Sequence, residues 1–125
     1  MSAIDWLSGQ GYRVWIPLGH SPDIDLIATH GTDTLRIEVK TSTRARGDGW
    51  IVMLCTRGGN QSWSGVSKLF DSARCDYLFV LVGDGRRWFI PTTALEATSG
   101  IMLGGSKYDR FEVESGRPIP RATAA

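Results

Sequence analysis

The sequence predicts an α/β fold in which a mixed central β-sheet is flanked by short helices. Segments of alternating polar and apolar residues recur through the first half of the chain, as expected for strands with one face in a core. Residues 77–82, YLFVLV, form a continuous apolar run that is typical of a buried central strand. Apolar residues at helical spacing occur at residues 3–10 and 66–70.

The first half of the chain predicts one helix and four strands. A helix over residues 3–10 places Ile4 and Leu7 on one face. The predicted strands cover, in order, residues 12–17, 24–29, 35–41 and 50–55. Residues 30–33 form a turn between the second and third strands, and the glycine-broken residues 44–49 form a loop before the fourth.

The second half predicts shorter elements separated by loops. They are, in order, a loop at 57–64, a helix at 66–70, the buried strand at 77–82, a hairpin turn at 83–85, a strand at 87–91, a brief helix at 93–96 and an edge strand at 111–113. Thr93 and Glu96 have the spacing of a capping box. Residues 116–125 lack apolar periodicity and predict a frayed tail. The length of 125 residues suits a single core, so residues 1–125 are expected to form one domain.

Composition excludes several classes of protein. The net charge is +1, so a nucleic-acid surface would have to be a local basic patch. No apolar run reaches the length of a membrane-spanning helix, and the first residues lack the basic and long apolar regions of a signal peptide. A cytoplasmic protein is expected. Cys55 and Cys75 form no C-x-x-C motif and are predicted to be buried free thiols.

Residues 35–41, LRIEVKT, place an acid and a lysine on one face of a predicted strand. Apolar residues alternate there with Arg36, Glu38 and Lys40. Glu38 and Lys40 therefore project from the polar face, about 7 Å apart at about 3.3 Å per residue. Twelve residues separate Asp25 from Glu38, enough for a strand, a turn and a return strand. Paired strands would bring the three side chains together.

This trio has the chemistry needed for phosphodiester hydrolysis. The carboxylates of Asp25 and Glu38 supply hard oxygen ligands that suit Mg²⁺ or Mn²⁺. Such a metal polarises a phosphoryl oxygen and lowers the pKa of a bound water. Lys40 would position that water and offset negative charge at phosphorus. The alternative is an exposed strand whose Glu38 and Lys40 are merely solvated.

The order of motifs resembles a known nuclease superfamily. GYRVWIP, PDIDLIA and LRIEVKTS, followed by RCDYLFVLVGDGRRWFIP and GGSKYDRFEVE, are similar to the PD-(D/E)XK nucleases, and most similar to the group I intron-associated endonucleases among them. The resemblance covers nearly the whole chain. It implies a restriction-endonuclease-like core, metal-dependent cleavage of DNA, and Mg²⁺ as cofactor with Mn²⁺ as a substitute.

By motif position, the resemblance assigns Asp25 as a metal ligand, Glu38 as the second acid and Lys40 as the catalytic lysine. Asp23 has the same strand parity as Asp25, so periodicity does not separate them; the family's D-L-I pattern favours Asp25. Many members carry a glutamate on the helix before the first strand. The predicted helix here carries Asp5 instead, at a different place, which would weaken metal binding.

Several residues after the predicted catalytic strand are candidates for DNA contact. Arg44, Arg46 and Arg57 would neutralise phosphates at the mouth of a cleft. The hydroxyls of Thr41 and Ser42 would add hydrogen bonds. The alternative is that charged loop residues keep the surface soluble.

Trp63 is the tryptophan predicted to contact DNA or another subunit, because it lies in the polar loop at residues 57–64. Trp50 and Trp88 begin or lie within predicted strands, so they are expected to pack in or against the core.

Two functions from different classes follow from these observations. The first is a metal-dependent DNA endonuclease, with DNA as partner and no membrane contact. One small domain covers little duplex, so a homodimer or higher homo-oligomer is expected. The second is a DNA-binding or interaction module that keeps the nuclease fold but has weak or no catalysis.

Overall fold

The computed structural model describes residues 1–19, 23–57 and 67–120. The chain begins with helix α1 (Ser2–Gly9), which ends where Gly11 adopts a positive φ of 91°. The predicted first helix is therefore confirmed. No helix in the described part of the chain is long and apolar enough to cross a membrane.

Six strands form the central sheet: β1 (Arg13–Trp15), β2 (Leu26–His30), β3 (Asp33–Ser42), β8 (Tyr77–Val82), β9 (Arg87–Pro91) and β11 (Glu112–Val113), in that spatial order. Strands β3 and β8 are parallel, and the other neighbours are antiparallel. The sheet is therefore mixed, as predicted. The hairpin of β2 and β3 turns at Gly31, whose φ is 59°.

The parallel pairing of β3 with β8 is fixed at its start by reciprocal hydrogen bonds. The Arg36 N–H donates to Asp76 Oδ2 at 2.7 Å, and the Asp76 N–H donates to the Arg36 carbonyl at 2.8 Å. The guanidinium of Arg36 also bonds the Asp76 carboxylate, and these hydrogen bonds hold the pKa of Asp76 below its ordinary value.

The remaining strands form two smaller sheets. One contains β10 (Gly100–Leu103), β5 (Gly49–Met53) and β4 (Ala45–Arg46), in that order; the other pairs β6 (Thr56–Arg57) with β7 (Ser67–Lys68). All pairs in both are antiparallel. The three-stranded sheet covers part of one face of the central sheet, and α1 covers part of the other.

The central sheet therefore separates two apolar clusters. Leu7 of α1 packs with Leu26, Ile37 and Phe79, which project from one face. The second cluster lies between the other face and the three-stranded sheet, and its largest fully buried members include Trp88, Leu54, Leu78, Ile90 and Leu103. Trp88 is buried and Trp50 is partly buried against this cluster, as predicted for both.

Four local predictions were wrong. Residues 67–70 are not helical, because Ser67–Lys68 pairs with β6. Residues 44–49 form a hairpin rather than a loop, with β4 turning at Gly47. Glu96 caps no helix; its carboxylate instead pairs with Lys107 at 2.8 Å, and the 3₁₀ turn nearby spans Thr92–Ala94. Strand β10 was not predicted at all.

The segment at residues 116–120, predicted to be frayed, is docked on the turn between β8 and β9. The Gly116 N–H donates to the Gly85 carbonyl at 2.7 Å, and the Ile119 N–H donates to the Gly83 carbonyl at 3.1 Å. Gly85 has a φ of 95°, and a Cβ there would lie 2.4 Å from the Gly116 carbonyl oxygen. Residues 121–125 of the predicted tail lie outside the described part.

Candidate active site

Glu38 and Lys40 form an ion pair on the face of the central sheet opposite α1. Glu38 Oε1 lies 3.1 Å from Lys40 Nζ. The side chains are only 5% and 15% exposed, respectively. Leu78 and Val80 of β8 lie beside them in the parallel register. The alternative of a solvated acid and lysine on an exposed strand is therefore wrong.

The second carboxylate oxygen of Glu38 has no hydrogen-bond partner in the described part of the chain. Glu38 Oε2 is buried and accepts no hydrogen bond from the described residues. Burial raises the pKa of Glu38 above its ordinary value, although Lys40 opposes this effect; the negative charges of Asp25 and Asp23 raise it further. A buried oxygen of this kind is costly unless a donor or a cation satisfies it.

Asp25 lies directly before β2 and faces Glu38 across the hairpin. Leu26 pairs with Ile37, so the antiparallel register places Asp25 opposite Glu38. Leu26 packs on the α1 side, and strand alternation places Asp25 on the other side, with Glu38. The Val39 N–H donates to Asp25 Oδ2 at 2.7 Å, which fixes the carboxylate, while the residue remains exposed to solvent.

Asp23 and Asp25 have the same strand parity, but Asp23 pairs with an arginine. Arg74 Nη1 donates to Asp23 Oδ2 at 2.9 Å, and Arg74 Nε lies 3.5 Å from Asp71 Oδ2. The hydrogen bond from Arg74 to Asp23 raises the pKa of the arginine. Asp23 therefore has an arginine counterion, supplied from a position 51 residues away in the chain.

Cys75 adds an apolar, neutral neighbour to this region. It is a free, buried thiol, as predicted, whereas Cys55 is free but only partly buried. Burial raises the pKa of Cys75 to about 12, and the negative charges of Glu38 and Asp23 contribute to the rise. The thiol is therefore protonated at neutral pH and is a poor nucleophile there.

The donor set fits a hard divalent cation with few protein ligands. Asp25 and Glu38 offer carboxylate oxygens from one face, and Mg²⁺ commonly uses one or two carboxylates with several waters. The described residues contain no group of three His, Cys, Asp or Glu side chains placed to hold a metal. Asp5 lines a cavity with Thr41 and Leu81 on the α1 side of the sheet, so it does not complete this site.

The residues at the end of β3 have different environments. The Ser42 hydroxyl donates to the Ile51 carbonyl and accepts the Arg44 N–H at 3.2 Å, so it ties β3 to the hairpin. Thr41 is exposed, but it lies on the α1 side of the sheet, away from Lys40. Thr41 is therefore separated from the face that carries Glu38 and Lys40. The Ser42 hydroxyl is engaged in hydrogen bonds within the fold.

Arg44 and Arg46 are exposed and lie at the hairpin of β4 and β5. Neither has an ion-pair partner among the residues that the structure describes. Arg57 lies in β6. Trp63 lies outside the described residues.

Comparison with known proteins identifies the class of fold. No family model matches the chain, and no curated protein matches its sequence. Among solved structures, it is similar to that of I-Ssp6803I, a bacterial homing endonuclease, with a TM-score of 0.67 and 21% sequence identity over 84% of this chain and 72% of that one. The chain therefore has a homing-endonuclease-like nuclease fold, which confirms the predicted fold class.

Proposed function

We propose that this protein is a metal-dependent endonuclease that hydrolyses DNA phosphodiester bonds. The observation that carries the proposal is the buried Glu38–Lys40 pair, in which Oε1 has a cationic partner and Oε2 has no hydrogen-bond partner among the described residues. An unsatisfied carboxylate oxygen beside a second acid, Asp25, is the arrangement expected of a cation site. The nuclease fold supports the same reading.

Each residue of the trio has a distinct role in this proposal. Glu38 and Asp25 would hold Mg²⁺, with Mn²⁺ as a substitute, and the Val39 N–H fixes the orientation of Asp25. When bound, the ion supplies Lewis acidity and a water of lowered pKa. Lys40, held by Glu38, would position the attacking water and stabilise the charge that develops on the phosphoryl oxygens.

DNA contacts would come from the exposed cations near the end of β3. Arg44 and Arg46 have no ion-pair partner in the described part of the chain, so both side chains are available to DNA. Arg57 and Trp63 remain proposed contacts. Ser42 is less suited, because its hydroxyl is engaged within the fold. A symmetric homo-oligomer would let two such sites address both strands of a duplex.

A cleavage assay tests the proposal. The protein is incubated with supercoiled, linear, branched and single-stranded DNA in Mg²⁺, Mn²⁺ or EDTA. We expect cleavage that requires the metal and is lost in Asp25→Asn. Glu112→Gln is a matched control, because it removes a carboxylate charge that pairs with Arg86 away from the site. Cleavage that persists in EDTA, or equal cleavage by Asp25→Asn and the parent, would refute the proposal.

The second candidate is a DNA-binding module with the same fold and weak or no catalysis. It is favoured by one observation: Asp5, the acid on α1, lies on the other side of the sheet, which leaves Asp25 and Glu38 without a third acid from the helix. Calorimetric titration with Mg²⁺ and Mn²⁺ distinguishes the candidates. DNA binding without metal binding or cleavage would favour the module.

A further inference from the structure

The three-stranded sheet of β10, β5 and β4 presents an outer surface to solvent. Trp50 and Val52 of β5 face the core, so strand alternation turns Ile51 and Met53 outward. On β10, Met102 lies opposite Ile51 in the register and is 44% exposed. We call this surface the outer sheet face.

Two arginines belong to the same face. Arg46 pairs in register with Gly49, and the Arg44 carbonyl accepts the Ile51 N–H at 2.9 Å. Because Gly49 and Ile51 face outward, both arginines project on the outward side of β4. Gly49 allows β10 to approach closely: a Cβ there would lie 2.8 Å from the Leu103 carbonyl oxygen and 3.2 Å from the Met102 methyl carbon.

The hairpin is anchored at its base and is joined directly to the catalytic strand. Ser42, the last residue of β3, bonds both Ile51 and Arg44. Its core side contributes to the cluster between the two sheets, so the hairpin stands on the same side of the central sheet as Glu38 and Lys40. Arg46 is six residues beyond Lys40, at most about 20 Å of extended chain.

We propose that the outer sheet face enters the major groove of duplex DNA and reads base identity beside the cleavage site. The proposal rests on the proposed nuclease function and adds the determinants of its sequence preference. The major groove is about 12 Å wide and admits a two-stranded β-ribbon, whose spacing is about 4.8 Å. Arg44 and Arg46 are the donors suited to the O6 and N7 atoms of guanine. Ile51, Met53 and Met102 offer apolar contact to thymine methyl groups.

Charge complementarity selects DNA over other occupants. The face carries two arginines and no acidic side chain on its outward positions at residues 44, 46, 49, 51, 53, 100 and 102; the exposed Asp48 lies beside it, in the turn between Arg46 and Gly49. Arg44 and Arg46 lie within about 20 Å of Lys40 along the chain, a distance that spans about six base-pair steps of about 3.4 Å, so the bases that these arginines read should lie near the scissile phosphate.

Arginine-to-lysine substitution separates base reading from phosphate contact. Lysine keeps the positive charge but replaces the rigid guanidinium fork, whose two parallel donors match guanine O6 and N7, with a single ammonium on a flexible stem. The experiment selects bound duplexes from a randomised library, in Ca²⁺, with the parent, Arg44→Lys and Arg46→Lys. Arg13→Lys is the matched control: Arg13 is exposed, has no ion pair among the described residues and lies on β1, at the far edge of the central sheet.

We expect the parent to prefer guanine at one or more positions within six base pairs of the cut. Arg44→Lys or Arg46→Lys should reduce that preference by roughly 5- to 150-fold at its own position, with an unchanged salt dependence of binding. Arg13→Lys should select the same sequences as the parent. Selection is scored by binding, so the result does not depend on turnover.

The outcomes separate this inference from the proposed function. A metal-dependent nuclease whose base preferences are unchanged in both lysine variants would refute the outer sheet face as a reader and leave the nuclease standing. Altered preferences in a protein that binds but never cuts DNA would support the face and refute the nuclease. A parent that binds no duplex in Ca²⁺ would overturn the outer sheet face as a DNA surface, and metal-dependent cleavage would still be scored separately.

Discussion

Replacing Glu38 with glutamine keeps the shape of a buried side chain but removes its charge. Glu38 is 4% exposed, and burial raises its pKa above the ordinary value of 4.5 even with Lys40 nearby. A carboxyl whose pKa is raised on folding stabilises the fold below the unfolded pKa, and this contribution is lost as the pH rises through the folded pKa. The parent should therefore lose stability as the pH rises from the unfolded pKa of Glu38 to its folded pKa, and Glu38→Gln should not.

The magnitude follows from the shift. Above the folded pKa of Glu38, the free energy of unfolding of Glu38→Gln should exceed that of the parent by about 1.4 kcal/mol for each unit by which folding raises the pKa. The two should converge below about pH 4.5. Divalent metal should reverse the order at neutral pH, because only the parent has both carboxylates: Mg²⁺ at about 100 times its Kd stabilises the fold by about 2.7 kcal/mol.

Urea denaturation between acidic and neutral pH, with and without Mg²⁺, measures both effects. Glu112→Gln is the control of opposite sign. Hydrogen bonds from Arg86 lower the pKa of Glu112, so its contribution is present above the unfolded pKa and is lost as the pH falls through the folded pKa. Glu112→Gln should therefore destabilise the protein at neutral pH, equally with and without Mg²⁺.

A Glu38→Gln protein that is less stable than the parent at neutral pH without metal would show that burial does not penalise the Glu38 carboxylate. Equal stabilisation of the parent and Glu38→Gln by Mg²⁺ and Mn²⁺ would exclude Glu38 from a cation site. A difference between the two proteins that does not change with pH would mean that the carboxyl is not perturbed by burial.

Three further predictions concern neighbouring residues. Lys40→Ala should lower cleavage at saturating DNA by about 10²–10⁴-fold, and urea denaturation should show a loss of about 1–3 kcal/mol because Glu38 keeps a buried, unpartnered carboxylate; parental turnover would exclude a catalytic lysine. Asp25→Asn should abolish metal-dependent cleavage while Asp23→Asn retains most of it, and the reverse ranking would make Asp23 the ligand. Arg44→Ala should weaken DNA binding by about 1–3 kcal/mol and relax the base preference at its own position, measured by filter binding, with little change in turnover at saturating DNA.

Local sequence was sufficient where an element's identity depends on its own pattern. The alternation around Glu38 predicted β3 and the shared face of Glu38 and Lys40, and the run at residues 77–82 predicted a central strand. Gly31 and Gly85 marked turns that the structure places between β2 and β3 and between β8 and β9. These features follow from residue type and spacing alone.

Local sequence failed where a short segment depends on distant partners. Leu69 and Phe70 have helical spacing with Val66 in the sequence. In the structure, Phe70 follows strand β7, and its N–H donates to the Thr98 carbonyl at 2.9 Å. Strand β10 contains only four residues, too few for a clear alternation of polar and apolar residues, and it is defined by its pairing with β5. In both regions, long-range pairing overrides local propensity.

The sequence by itself determined the strands of the candidate site and the chemical types that they carry. Tertiary structure alone decided that Glu38 is buried with one oxygen that no described residue partners, that Arg74 pairs with Asp23, and that Asp5 lies across the sheet. The physical reason is that burial and counterions come from residues far apart in the chain. Periodicity fixes the face of a strand from which a side chain projects, whereas the packed sheet fixes what that side chain meets.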